Sequence, residues 1–185
     1  AGYEWRNLAL GRLLGRLFAP QGPLVAVAAA GGSPYGSRLR HVDMLGFNDR
    51  VIARTPVPEI ALRGARLLLG RDYVPGHMHG NGAYVLDRAP DLVLFHNAPC
   101  LLITPFVSGY EMQADPRWLA EYRCVQLVCP PHVLPNGRTE SLRVTLWVAR
   151  AGRVGIRRSA DAIEIPALLL GSYRQPLPFQ LLDLP

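Results

Sequence analysis

At 185 residues, with 49% apolar side chains and a net charge of +6, the chain suits one domain, with or without an extension, and can bury a sizeable core. Its moderate charge and evenly spread apolar residues exclude wholesale disorder. The longest apolar run, residues 23–30, is far too short to cross a bilayer as a helix, and no stretch reads as an uncleaved signal peptide. All twenty basic residues are Arg, scattered rather than clustered with aromatic side chains, and no helix-turn-helix, finger or RNA-binding signature appears. Nucleic acid is therefore not an expected partner, and anionic lipid head groups suit the charge better. The first residue is Ala1, which suggests a processed product or an excised segment.

The first element is a helix. In WRNLALGRLLGRLFAP the residues Leu10, Leu13, Leu14, Leu17 and Phe18 recur at helical spacing, while Arg6, Arg12 and Arg16 lie largely off that stripe. Pro20 and Gly22 end it. PLVAVAAA then reads as a buried strand, GGSPYGS as a turn or the start of a short helix, and HVDML as a second strand ending at Gly46. Helix, strand, glycine turn, strand is the order of a small α/β unit, whose functional groups gather at the carboxyl ends of its strands. Asp43 to Asp49 would lie at such an end. PEIALRGARLLLG predicts another helix, weakened by Gly64, and DYVPGHMHGNG a loop. AYVLDRAPDLVLF reads as strand, turn, strand, broken at Pro90.

DPRWLAEYR starts like a helix, with Asp115 as cap and Pro116 at the first helical position. CVQLVC and SLRVTLWVAR follow as strands of an antiparallel hairpin, with Pro135 to Gly137 in the loop between them. The expected fold class is α/β: a small, mainly parallel sheet with flanking helices, plus a C-terminal antiparallel hairpin. LVAVAA, HVDML and DLVLF supply the parallel strands. Packing the Leu10–Phe18 stripe on that sheet should contribute on the order of 7–15 kcal/mol before entropy costs. Residues 1–150 form this domain, and residues 151–185 form a proline-rich apolar extension. Pro166, Pro176, Pro178 and Pro185 keep that tail from forming a long helix, so it should lie extended on a protein surface, a neighbouring subunit or membrane protein before its own domain.

Two clusters could carry chemistry. Asp43, Asn48, Asp49 and Arg54 bring carboxylates beside a guanidinium, a set able to hold a cation, a sugar hydroxyl or a phosphate. Asn and Asp after glycine also build turns and cap helices, and that structural role is the commoner one. His77 and His79, two residues apart, could share a metal if extended, with Asp72 or His96 as a third ligand. A surface loop accounts for them more simply, and no metal or other cofactor is expected. Ser33, Ser37 and Ser108 sit in glycine-containing turns without a GxSxG elbow, and His96 near Cys100 does not make a catalytic pair. There is no phosphate loop and no GxGxxG after a strand. No catalytic residue is assigned. Cys124 and Cys129 would point to opposite faces of one strand, and Cys100 could pair with either in an oxidising compartment; buried thiols are the default.

GSPYGSRLRHVDMLGFNDRVIART and PGHMHGNGAYVLDRAPDLVLF resemble the soluble C-terminal region of bacterial polytopic membrane glycosyltransferases, the mannosyltransferase-like enzymes that use polyprenyl-phosphate sugars. The resemblance rests on Tyr35, Asp43, Leu45 to Asp49, Ile52 to Arg54, Gly76-His77, Tyr84 to Leu86 and Pro90-Asp91, with LWVAR as a terminal strand, and it covers roughly residues 5 to 150. It departs after His77, where Met78 and His79 replace the family's acidic and basic residues. In that family the catalytic acids lie between membrane helices, which this chain does not contain. The resemblance thus implies an extracytoplasmic domain, in the periplasm or on the outer face of the cytoplasmic membrane, with Tyr35, Asp43, Asn48, Asp49, Arg54, His77 and Tyr84 as binding residues. The leading expectation is a non-catalytic accessory, scaffold or glycan-facing domain that meets a glycan or lipid-linked sugar. The alternatives are a structural subunit of a larger membrane or surface assembly, and a saccharide-acting enzyme using the Asp43–Arg54 crevice.

Overall fold

The computed structural model describes residues 3–28, 30–57, 77–95, 106–128, 132–133, 137, 139–140, 143–158, 163–164 and 180–183. In chain order the elements are α1 (Tyr3–Phe18), β1 (Leu24–Val27), α2 (Gly32–Ser37), β2 (Arg40–Asp43), α3 (Arg50–Arg54), α4 (Gly82–Asp87), β3 (Leu92–Leu94), α5 (Val107–Ala114) and α6 (Arg117–Glu121). They continue with β4 (Tyr122–Val128), β5 (His132–Val133), β6 (Thr139–Glu140), β7 (Arg143–Ala149), β8 (Arg157–Arg158), β9 (Ile163–Glu164) and β10 (Gln180–Asp183).

The fold is mixed α/β. One six-stranded sheet runs in the order β10-β4-β7-β3-β1-β2, and β5-β6 and β8-β9 are two small separate ladders. β1 lies parallel to both β2 and β3, with Val25 opposite His41 on one side and Leu92 on the other. LVAVAA, HVDML and DLVLF thus make the parallel part, as their sequences indicate. β7 then adds antiparallel to β3, β4 antiparallel to β7, and β10 antiparallel to β4. The C-terminal hairpin therefore extends the same sheet, and the parallel character is confined to three strands.

Alternation along short buried strands gives each face its own core. Val25 and Val27 of β1, Leu92 and Leu94 of β3, and Val125, Leu146 and Val148 of the hairpin meet the α1 stripe of Leu10, Leu13, Leu14, Leu17 and Phe18. Leu24 and Ala26 face the other way, with Val42, Val93 and Trp147, under Ile52 of α3, Val85 and Leu86 of α4, Met112 of α5 and Trp118 of α6. Helices thus cover both faces of the sheet. Trp118 anchors the second layer, with its ring 4.5 Å from that of Trp147 and 4.9 Å from that of Tyr122.

Asp91 joins the parallel and antiparallel halves. Buried at the start of β3, it accepts the Leu24 N–H at 2.8 Å and the Arg153 N–H at 2.5 Å, while its backbone carbonyl accepts the Ala149 N–H.

The sheet is therefore mixed and mostly antiparallel rather than mainly parallel, and the structure differs from the sequence reading at three further places. AYVLD is helical, not a strand: the Asn81 side chain accepts the Tyr84 N–H and caps α4, and so short an apolar run fits either period. HVDML leaves the sheet at Asp43, where the carboxylate turns the chain. Of the tail, Gln180–Asp183 pairs with β4 of its own sheet, and residues 165–179 lie outside the described residues. The helix expected around Gly64 lies outside the described residues.

Candidate functional site

The chain emerges from the carboxyl end of β2 at Asp43, a residue 4% exposed. One oxygen of its carboxylate accepts the Leu45 N–H at 3.0 Å and the other the Asn48 N–H at 2.6 Å. Gly46, at φ 82°, completes the turn in a conformation that a side chain disfavours, and its N–H reaches the Asp43 carbonyl. Asp43 is thus the post around which Met44 to Asn48 fold. Its carboxylate is occupied by backbone donors and is not offered to a ligand.

Asp49 follows as the N-cap of α3. Its Oδ1 accepts the Val51 and Ile52 N–H groups. Its Oδ2 accepts the Tyr84 hydroxyl at 3.2 Å and so joins α3 to α4. Burial, followed by the charge and hydrogen bond of Asp49, raises the Tyr84 phenol above its ordinary value, so the hydroxyl stays a donor. Beside this pair stands a row of rings. His77 packs edge-on to Phe47 at 5.3 Å and tilted against Phe106 at 5.6 Å. Phe47 is 58% exposed, and the buried His77 Nδ1 has no hydrogen-bond partner among the described residues.

A polar lattice behind the site holds these helices together. The fully buried Ser108 hydroxyl donates to the Met44 carbonyl at 2.7 Å and accepts the Asn81 N–H at 3.0 Å. The Asn81 amide donates to the Thr55 hydroxyl, and His79 Nδ1 donates to the Thr55 carbonyl at 3.1 Å. Glu111 accepts the Gly82 N–H at 2.6 Å. Sequence reasoning missed Thr55, Asn81, Glu111 and the whole of α5. The i, i+4 pair Ser108 and Met112, both buried on α5, was the available signal.

Of the residues singled out in the sequence, the structure brings Asp43, Asp49, His77 and Tyr84 to this end of the sheet. Asn48 contributes its backbone and is otherwise exposed. Arg54 is exposed in the last turn of α3, where it complements the helix dipole, and makes no ion pair among the described residues. Tyr35 stands apart, 80% exposed on α2, which packs against α1 on the other side of the sheet. Among the described residues no group of three potential ligands is placed to hold a metal. His79 is used by Thr55, and Asp72 and His96 lie outside the described residues. Cys124 is buried in β4, and Cys100 and Cys129 also lie outside them. No described helix is long and apolar enough to cross a membrane.

A family model described as a domain of unknown function, DUF8728, matches residues 1–147, so the chain belongs to that family. No curated protein and no solved structure matches the chain.

Proposed function

We propose that this DUF8728 chain is a non-catalytic, extracytoplasmic, glycan-facing domain that works beside a polytopic membrane glycosyltransferase. The observation that carries the reading is the Asp49–Tyr84 pair set against the exposed ring of Phe47. A pyranose has an apolar face that suits an aromatic ring and an edge of hydroxyls that suits a carboxylate. The likeness of this segment to the ectodomains of enzymes using polyprenyl-phosphate sugars supports a sugar as ligand. The bonding supports recognition over catalysis. Both oxygens of Asp43 accept backbone N–H groups, and those of Asp49 hold a helix cap and a phenol. Asp49 Oδ2 keeps one lone pair beyond the Tyr84 bond, enough to accept a sugar hydroxyl while the carboxylate goes on capping α3.

The test is titration of the full chain with mannose and mannosyl phosphate, followed by NMR shifts. Binding in the millimolar range, about −4 kcal/mol, suits one ring and one carboxylate. Phe47→Ala and Asp49→Asn should each abolish it. Asn caps a helix about as well as Asp, so Asp49→Asn removes the charge and spares α3. Absence of any saccharide binding would sink the reading. Turnover of a polyprenyl-phosphate sugar that is lost in Asp49→Asn would replace it with an enzyme.

A further inference from the structure

The opposite end of the sheet carries a second feature, independent of the glycan site. Gly22, just before β1, offers its carbonyl to two guanidinium groups: Arg153 at 3.0 Å and Arg40 at 3.5 Å. Two exposed cations are held side by side by one neutral acceptor. The topology brings others to the same edge. Arg16 is in the last turn of α1, Arg38 caps the end of α2 two residues before β2 begins, Arg88 caps the end of α4 just before β3, and Arg150 follows β7. All six are exposed.

The carboxylates at this edge are largely committed. Among the described residues Asp91 is buried on backbone N–H groups, Asp87 and Asp115 are both bound to Arg117, and Glu121, exposed beside Arg150, is one carboxylate against six arginines. Asp43, Asp49 and Glu111 lie at the other end of the parallel strands or in the lattice behind the site there. A charged residue on the edge strand β2 would suffice to discourage strand pairing, but that need does not extend to Arg16, Arg88, Arg150 or Arg153. Surface charge kept only for solubility mixes both signs.

We infer that the Arg40–Arg153 edge is a docking surface for an anionic lipid bilayer. Guanidinium groups pair with phosphate oxygens through two parallel bonds, and a row of them at a flat edge matches a plane of head groups. Leu119, 70% exposed between the Arg117 ion pairs and the Glu121 carbonyl that accepts the Arg150 N–H, supplies an aliphatic contact. Among the described residues the exposed aromatics are Tyr35 on α2, one turn before Arg38, Phe47 on the β2–α3 turn and Tyr110 on α5, so no row of rings accompanies the arginines as single-stranded nucleic acid requires. Docked this way, the domain turns the Phe47–Asp49 end away from the membrane.

The experiment is co-sedimentation of the full chain with vesicles rich in phosphatidylglycerol and with pure phosphatidylcholine vesicles, beside a binding assay on duplex and single-stranded DNA at the same salt. Binding to the anionic vesicles alone is expected, and it should vanish in 1 M salt, where the Debye length is about 3 Å. Each arginine removed should weaken it about fivefold, so Arg40→Gln with Arg153→Gln should lose roughly 25-fold. Arg50→Gln, at the other end, should lose nothing. The Arg153 contact to Asp91 is made by its backbone, so the double variant keeps that bond, and an unchanged circular dichroism spectrum checks the fold. Equal binding to neutral vesicles, an undiminished double variant, or tighter binding to DNA than to anionic vesicles overturns the inference. None of these readouts depends on sugar binding.

Discussion

The two aspartates at the end of β2 divide the labour, and their partners tell them apart. Asp43 is buried and takes a backbone N–H on each oxygen, whereas Asp49 keeps one oxygen at a partly exposed position beside Tyr84. Asp43→Asn turns one acceptor into a donor that faces an N–H, leaving both unsatisfied. It should destabilise the fold by about 2–3 kcal/mol, read from urea melts; a loss below that for Asp49→Asn would separate the structural from the ligand-facing carboxylate. His41 offers a second residue-scale test. Its Nδ1 donates to the Leu39 carbonyl at 2.7 Å, and Nε2 faces the Ser37 hydroxyl at 3.3 Å. Burial lowers its pKa below the ordinary 6.5, against the opposing effect of the Leu39 bond. Between that value and the lower folded one, the unfolded chain binds a proton that the folded chain refuses. The stability contributed is therefore complete above pH 6.5 and is lost as pH falls through the folded pKa. His41→Gln should flatten the melting temperature across that window, and equal slopes in both proteins would refute the assignment. Sequence alone could name Asp43 and Asp49, because Asn-Asp after a glycine has few uses. It could not tell which oxygens were occupied, since that depends on backbone N–H groups.

At the scale of elements, the closest packing is between α1 and α2. Gly11 and Gly15 lie one turn apart on α1, and a methyl group on either would meet the Ser33 or Ser37 carbonyl. Gly36 answers from α2, where a methyl group would lie 2.6 Å from the Leu8 carbonyl. Two effects then oppose each other in Gly11→Ala. Helix propensity gains about 1 kcal/mol, and forcing two backbones apart costs about 1–3 kcal/mol. Because the obstacle is backbone and cannot swing aside, the loss wins, and the melting temperature should fall by a few degrees. A rise would show that the helices separate freely. The same glycines mark a limit of the sequence reading. The Leu10–Phe18 stripe was legible because burial imposes its period on many residues, and it lies on the sheet. The GRLLG spacing was equally visible, but which neighbour it admits depends on how α2 is placed. AYVLD failed for a related reason: its cap, Asn81, looked like part of a glycine loop, and α5, which supports it through Ser108 and Glu111, was not anticipated.

At the scale of the molecule, the sheet changes direction at β3–β7, and among the described residues its two borders are β2 and β10. The α/β class was legible because buried strands and amphipathic helices leave strong periods. The continuous sheet was not, because pairing across the chain leaves no local mark. The clearest case is the tail. Prolines and leucines signalled an extended apolar segment but were silent about which surface takes it. In the structure Gln180 to Asp183 pair with Val128 to Val125 and complete the sheet beyond β4. Removing residues 166–185 would leave the backbone donors and acceptors along the outer side of β4 without their strand. The lost ladder should cost on the order of 1–3 kcal/mol, a fraction of a domain's stability. The larger consequence is exposure, since an uncovered edge strand recruits another. The truncated chain should therefore keep its α/β circular dichroism, melt several degrees lower and self-associate with rising concentration in size-exclusion chromatography. A synthetic peptide spanning 176–185, added in excess, should reverse that self-association by re-forming the pair. A truncated chain that stays monomeric and melts unchanged would show that β10 adds nothing to its own sheet, and would return the tail to a partner's surface.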